Sequence, residues 1–135
     1  MMRSRYIALA GLLFVSALGA SVSLTPAMAL DYGKRQGDLK ALSAVFGELH
    51  HLRRMCEPSR ETDFWRERMK QMVSLEQPTA SLRRQLVSAF NGGYTSAQQK
   101  HSRCSGEARR FAAERASAGR ALTSKLAGGL STEFE

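Results

Sequence analysis

Apolar side chains recur at spacings of three and four residues across the segment 38–56. This spacing places them on one face of an α-helix. Asp38 is a suitable N-terminal capping residue, and Pro58 follows the predicted end. The apolar face comprises Leu39, Leu42, Val45, Phe46, Leu49, Leu52, Met55 and Cys56. The pattern predicts a long amphipathic helix over 38–56.

Two further apolar stripes lie between helix-boundary residues. The second predicted helix follows Thr62 as its cap and ends before Gln77-Pro78. The third follows Thr79 and ends at Asn91-Gly92-Gly93, because Asn and Gly accept the left-handed conformation found at helix ends. Both caps are of the residue type preferred at helix N-termini.

The last third of the chain predicts one weak helix and one strong helix. The segment 94–104 is polar nearly all round, so its helical pattern is weak. A helix capped by Ser105 then extends to about residue 126, and Gly128-Gly129 follows it. Its many small residues indicate close approach to a neighbouring helix.

Composition decides the fold class. From residue 30 onward the chain contains three Val, five Thr and no Ile, which are the β-branched residues that strands favour. Ala, Leu, Arg, Lys, Gln and Glu dominate instead, and these are good helix formers. Four to five helices with short connections predict an all-α fold, a small antiparallel helical bundle.

The first 29 residues have the layout of a secretory signal peptide. Arg3 and Arg5 form a basic start, an uncharged apolar run covers 6–20, and Ala27-Met28-Ala29 provides an A-x-A cleavage site. We expect cleavage after Ala29 and a periplasmic protein with no stable membrane span after cleavage. An uncleaved signal anchor is the alternative, although the apolar run is short for a bilayer span.

Cleavage would change the length, the net charge and the apolar content of the chain. It would leave 106 of the 135 residues, and losing Arg3 and Arg5 would lower the formal net charge from +8 to +6. Leu, Ile, Val and Phe then make up 19 of those 106 residues, so the core must also use Ala, Met and aromatic residues. We expect a polar lead-in over 30–37, a helical domain over 38–127 and a flexible tail over 128–135.

The two cysteines, Cys56 and Cys104, both lie after the signal peptide. In an oxidising compartment an even cysteine count predicts a disulfide. The Cys56–Cys104 bond would close a 49-residue loop. A redox or metal pair is the alternative, but the chain has no C-x-x-C motif.

Several short motifs follow one another between residues 49 and 104. In order they are Leu49-His50-His51-Leu52-Arg53-Arg54-Met55-Cys56, Phe64-Trp65-Arg66 with Met69, Glu76-Gln77-Pro78, Phe90-Asn91-Gly92-Gly93-Tyr94 and Cys104. This order resembles a family of exported alphaproteobacterial proteins of unknown function. The resemblance covers about 38–119 and implies a compartment and a fold rather than a chemistry. The chain departs from the family by lacking aromatic residues at about His51, Ala97 and His101.

The three histidines are the candidates for metal or enzyme chemistry. His50 and His51 are adjacent, so on a helix they point about 100° apart and cannot chelate one ion from one face. His101 and Cys104 have chelating spacing, but Cys104 is assigned to the disulfide. No H-E-x-x-H, G-x-S-x-G or phosphate-binding glycine loop occurs. We therefore expect no catalytic residue, no metal and no cofactor.

The remaining candidates form a possible binding surface: Arg53, Arg54, Trp65, Arg66 and Tyr94. Trp and Arg are enriched in binding hot spots. The scarcity of large apolar residues nevertheless favours Trp65 in the core, and Tyr94 can likewise pack over a helix turn. Export argues against nucleic acid, so an envelope protein or another anionic envelope component is the expected partner of the basic surface. A solvated basic surface with no specific partner is the alternative. The sequence leaves the oligomeric state open.

These observations predict a non-enzymatic, envelope-associated interaction protein. A metalloprotein or envelope enzyme that uses His50 or His51 with His101 is one alternative. A chaperone-like or structural protein that associates with itself is the other.

Overall fold

The computed structural model of the chain describes residues 26–131 and the side chains of 31–129. The predicted signal peptide lies almost entirely outside this range, as do residues 132–135 of the predicted tail. Four helices occupy the described part: α1 (Pro26–Cys56), α2 (Phe64–Glu76), α3 (Ala80–Lys100) and α4 (Gly106–Ser131). Residues 26–131 contain no strand, which confirms the all-α bundle.

Helix α1 is the centre of the bundle. Among the described residues, α2, α3 and α4 each pack mainly against α1 rather than against one another. The four helices meet in a shared apolar cluster, at the end of the bundle nearer the start of α1. The buried members of this cluster are Leu39, Leu42, Met69, Val73, Leu82, Leu86 and Leu126. Because three helices surround it, α1 also buries Ser43, Gly47, His50 and His51, which lie outside its predicted apolar stripe.

The predicted start of the first helix at Asp38 is wrong, because α1 already includes residues 30–37. Arg35 fixes this early turn to two other helices. Its guanidinium donates one hydrogen bond to the Leu126 carbonyl at 2.9 Å and another to the Glu76 carboxylate at 2.6 Å. A half-buried charge-assisted pair of this kind holds the segment against the bundle.

Two of the three caps predicted for the other helices are confirmed, and one is wrong. Thr79 and Ser105 cap α3 and α4 as predicted, because their hydroxyls accept hydrogen bonds from the Leu82 and Ala108 amides. The predicted cap at Thr62 is wrong by one residue, since α2 begins after Asp63. Gln77 adopts the left-handed conformation that ends α2, with φ 43°.

The predicted helix stop at Asn91-Gly92-Gly93 is also wrong, because α3 continues through it to Lys100. The segment 94–100 is therefore the end of α3 and not a separate helix. Close packing explains this. A Cβ at Gly93 would overlap the Ala44 carbonyl, and one at Gly47 would overlap the Phe90 carbonyl. The backbones of α1 and α3 touch through these two glycines, and this packing offsets the helix-weakening effect of glycine.

At the opposite end, the predicted disulfide joins the end of α1 to the turn before α4. Cys56 and Cys104 are bonded, and their Cα atoms are 5.1 Å apart, which is within the usual range.

Helix α4 continues past Gly128-Gly129 to Ser131, so the first residues of the predicted tail are helical. No helix in the described part of the chain is both long enough and apolar enough to cross a bilayer.

The glycine contact predicts opposite effects for two neighbouring substitutions. Gly93→Ala should destabilise the protein by about 1–3 kcal/mol, because the new methyl group must push α1 and α3 apart. Gly92→Ala should stabilise it by up to about 1 kcal/mol, because a Cβ there meets nothing within 4 Å and alanine favours helix. Urea unfolding of the two variants checks this, and equal effects would contradict the close approach.

The disulfide should supply a large share of the stability. Closing a 49-residue loop restricts the unfolded chain by roughly 4 kcal/mol in the loop-entropy model. We expect the double variant Cys56→Ser/Cys104→Ser to lose stability of that order in urea unfolding. Exposed Ser59→Ala, in the adjoining connection, serves as a control with little effect. A double variant as stable as the wild-type protein would contradict the assignment.

Candidate functional site

Helices α2 and α4 lie on α1 without closing over it, and an open groove remains between them. Two recesses of about 480 and 650 Å³ make up this groove. They share Leu49, Trp65 and Ala116 in their lining and therefore adjoin one another. We call this feature the α1 groove. Its floor is apolar, formed by Val45, Phe46, Leu49 and Leu52 of α1.

The α4 wall of the groove is a row of small residues. Ala112, Ala116, Gly119, Thr123 and Ala127 follow one another at spacings of three and four, so they share one helical face. Gly119 lies so close to α1 that a Cβ would be 3.3 Å from Val45 Cγ1. The small side chains thus let α4 approach the floor while leaving space above it.

The α2 wall is aromatic, and one arginine from α1 and one from α2 lie against it. The Trp65 ring stacks on Phe46 with ring centroids 5.8 Å apart, and it meets Phe64 edge-on at 4.9 Å. The guanidiniums of Arg53 and Arg68 lie over the Phe64 ring, 4.9 and 5.0 Å from its centroid. These cation–π contacts fix positive charge beside an apolar channel.

The groove lining is strongly basic. It includes four arginines, Arg53, Arg68, Arg109 and Arg120, and a single acidic residue, Glu57. The ion pairs found among residues 31–129 use other cations, namely Arg35, Arg60, Lys70 and Arg115. None of the four groove arginines forms an ion pair with a carboxylate in this range, while Arg53 and Arg68 donate hydrogen bonds to the Glu61 carbonyl and the Gln71 side chain.

The residues of the predicted binding surface lie at different places in the structure. Trp65 and Arg53 line the groove, and Arg53 also donates to the Glu61 carbonyl at 2.7 Å. Tyr94 instead packs between α3 and α1, where its ring contacts His50 and His51. Arg54 and Arg66 are exposed and act electrostatically on His50. The five residues do not share one surface.

The histidines lie in the contact between α1 and its neighbours. His50 is 4% exposed, and its ring lies 5.7 Å from the ring centroids of both Phe90 and Tyr94. His51 donates through Nε2 to the His101 carbonyl at 2.9 Å, which ties α1 to the end of α3. The His101 ring packs against Phe111. In the part of the chain that the structure describes, no three His, Cys, Asp or Glu residues are grouped so as to hold a metal ion.

Burial lowers the pKa of His50 below the ordinary histidine value, and the charges of Arg54 and Arg66 lower it further. Asp63 and the Thr62 backbone act in the opposite direction. The Nδ1 atom of His50 is buried without a hydrogen-bond partner in the described structure. The desolvation of His50 between two aromatic rings outweighs the opposing effects of Asp63 and Thr62, so the folded protein favours neutral His50.

Sequence reasoning missed the groove as a site, although part of its signal was present. The small residues of α4 indicated close approach to a neighbour, and Gly119 makes that approach to Val45. No pattern in the sequence indicates that α2 lies apart from α4. Phe46, Phe64 and Arg68 become site residues only because both helices pack on the same side of α1.

The depressed pKa of His50 predicts acid sensitivity. A histidine in the unfolded chain binds a proton at about pH 6.5, whereas folded His50 binds one only at lower pH. The contribution of His50 to the free energy of unfolding should therefore be fully present above that pH and decline as the pH falls below it. His50→Phe, which keeps a ring but cannot titrate, should lose less stability between pH 7.5 and 5.5 than the wild-type protein. Urea midpoints at both values measure this. Identical acid dependence in the two proteins would show that His50 makes no contribution.

Comparison with known proteins identifies a family. A family model described as "Protein of unknown function (DUF2385)" matches residues 35–129, which include the α1 groove and both cysteines. Neither a curated protein nor a solved structure matches the chain. The match extends over most of the sequence and confirms the resemblance to an uncharacterised family. The chain belongs to the DUF2385 family of proteins of unknown function.

Proposed function

We propose that the protein is an exported envelope protein that acts by binding a partner in the α1 groove and not by catalysis. The observation that carries the proposal is the groove itself, an apolar channel lined by four arginines that have no ion-pair partner among residues 31–129. Apolar surface supplies affinity, and the fixed positive charges select an anionic partner.

Export is supported by two independent features. The N-terminal residues have signal-peptide layout, and the Cys56–Cys104 bond is of a kind that persists in oxidising compartments. An anionic partner in the envelope is consistent with the basic lining of the groove. Nucleic acid is not expected in that compartment.

The histidine contacts favour binding over histidine-based chemistry. His50 is enclosed by aromatic rings, and His51 is bonded to the His101 backbone. Neither residue lines the groove. A general base must reach its substrate, and these rings are occupied in holding α1 to α3.

Site-specific photo-crosslinking in the native envelope tests the proposal. A benzophenone amino acid at Thr123 or Ser124, which line the groove, should give a crosslinked adduct. The same group at Ala121 or Lys125, exposed positions of α4 outside the groove lining, should give little. Intact mass of the same material should correspond to residues 30–135 with the disulfide formed.

Three results would count against the proposal. Equal crosslinking from all four positions would show that the groove is not the binding surface. Absence of adducts from the groove positions would show that it is unoccupied in the envelope. A mass that still includes residues 1–29 would contradict export with cleavage.

A further inference from the structure

The two ends of the α1 groove differ in chemistry. The end near the disulfide contains Arg53, Glu57 and Arg109 beside Cys56. The other end is formed by apolar or small residues of α1 and α4, with Thr123 and Ser124 as its uncharged polar groups and Arg68 and Arg120 at its sides. Polarity therefore changes along the groove as well as across it. Both ends carry two arginines, but the lining near the disulfide is the more polar and the lining at the other end is mostly apolar. A ligand that matches this change is anionic, with its polar group at the disulfide end and an apolar remainder.

We infer that the α1 groove binds a long-chain carboxylate, with the acyl chain along the α4 wall and the carboxylate at the Arg53–Arg109 end. This rests on the proposed function, since it names the occupant of the same groove. Charge complementarity carries the choice, because arginine pairs well with a carboxylate and the groove has an excess of three positive charges.

The dimensions of the groove suit one acyl chain. From Arg109 to Ala127 the α4 wall runs for 18 residues, which corresponds to about 27 Å of helix. One leaflet of a bilayer, which is one acyl chain deep, is about 15 Å of hydrocarbon. A single chain with its head group is therefore shorter than the α4 wall and can lie along it at full extension.

The head-group end favours a single negative charge. Glu57 lines this end together with the two arginines. Its side chain is 43% exposed, and its carboxylate pairs with Arg60 at 3.3 Å. Two arginines and one glutamate leave a net charge of +1 at this end, which a single negative charge on the ligand neutralises. A carboxylate is therefore preferred to a doubly charged alkyl phosphate, although arginine can bind both groups.

An acidic amphipathic helix is the competing occupant. Such a helix would need carboxylates along its whole length, whereas the residues of α4 that face the groove between Ala112 and Ala127 are mostly small and uncharged. The aromatic α2 wall also faces this stretch, and the Trp65–Phe46 stack presents flat apolar surface to it. A flexible hydrocarbon chain matches such a channel without requiring a paired charge on each turn.

The protein carries its own probe for the test. Trp65 is the only tryptophan in the chain, and it lines both recesses. Titration of the disulfide-bonded protein with decanoate, dodecanoate and tetradecanoate, each below its micelle concentration, should shift Trp65 emission to shorter wavelength. Affinity should rise roughly fourfold per added methylene. Dodecyltrimethylammonium should bind at least tenfold more weakly than dodecanoate, and dodecyl phosphate should bind no more tightly than dodecanoate.

Matched variants locate the site. Ala116→Phe, at a position that lines both recesses, should weaken dodecanoate binding at least tenfold, whereas Ala121→Phe on the far side of α4 should leave it unchanged. Arg109→Gln should weaken binding severalfold, and Arg110→Gln, whose residue lies outside the groove lining, should not. Circular dichroism confirms folding, and the chain-length series on the wild-type protein does not depend on any variant.

Several results would overturn the inference. These are no emission shift with any acyl carboxylate, affinity that is independent of chain length, equal affinity for the cationic amphiphile, or unchanged binding by Ala116→Phe. Tighter binding of dodecyl phosphate would overturn the carboxylate assignment. If acyl carboxylates fail while groove positions still crosslink to an acidic protein, the inference fails and the proposed function stands. If neither binds, both fail.

Discussion

The contact between the backbones of α1 and α3 determines the arrangement of the other helices. Gly47 and Gly93 remove the side chains that would separate the two helices, so α3 lies directly against one side of α1. Helices α2 and α4 then pack on the remaining surface of α1 and meet α3 chiefly at the apolar cluster. The groove follows from this arrangement, because the two helices lie at either side of the α1 surface that α3 does not cover.

The two ends of the bundle are secured by different interactions. At one end, the apolar cluster of all four helices is supplemented by Arg35, which links α1 to Glu76 and to the Leu126 carbonyl. At the other end, the disulfide and the His51–His101 hydrogen bond join α1 to the segment between α3 and α4. A chain poor in large aliphatic residues thus compensates with a covalent bond and buried polar contacts. The groove arginines take part in neither set of interactions.

Sequence reasoning predicted the helix class, the disulfide and two of the caps because these depend on local composition and on redox chemistry. It failed where tertiary contacts override local signals. Gly92-Gly93 has the sequence of a helix stop, but burial of Gly93 against Ala44 keeps α3 helical. Asp38 has the sequence of a helix start, but α1 continues upstream, where Arg35 contacts two other helices. The site was only partly predictable, since Trp65 and Arg53 belong to it while Tyr94 packs elsewhere, and no single segment encodes the separation of α2 from α4.

The central claim is that the open side of α1, between α2 and α4, is a ligand-binding channel. Methyl chemical shifts measured during titration with dodecanoate test it most directly. We expect shifts confined to groove methyl groups such as those of Val45, Leu49 and Ala116, with Leu82 and Leu86 of the apolar cluster unchanged. Shifts centred on Leu82 and Leu86, or an unchanged spectrum at saturating ligand, would contradict it.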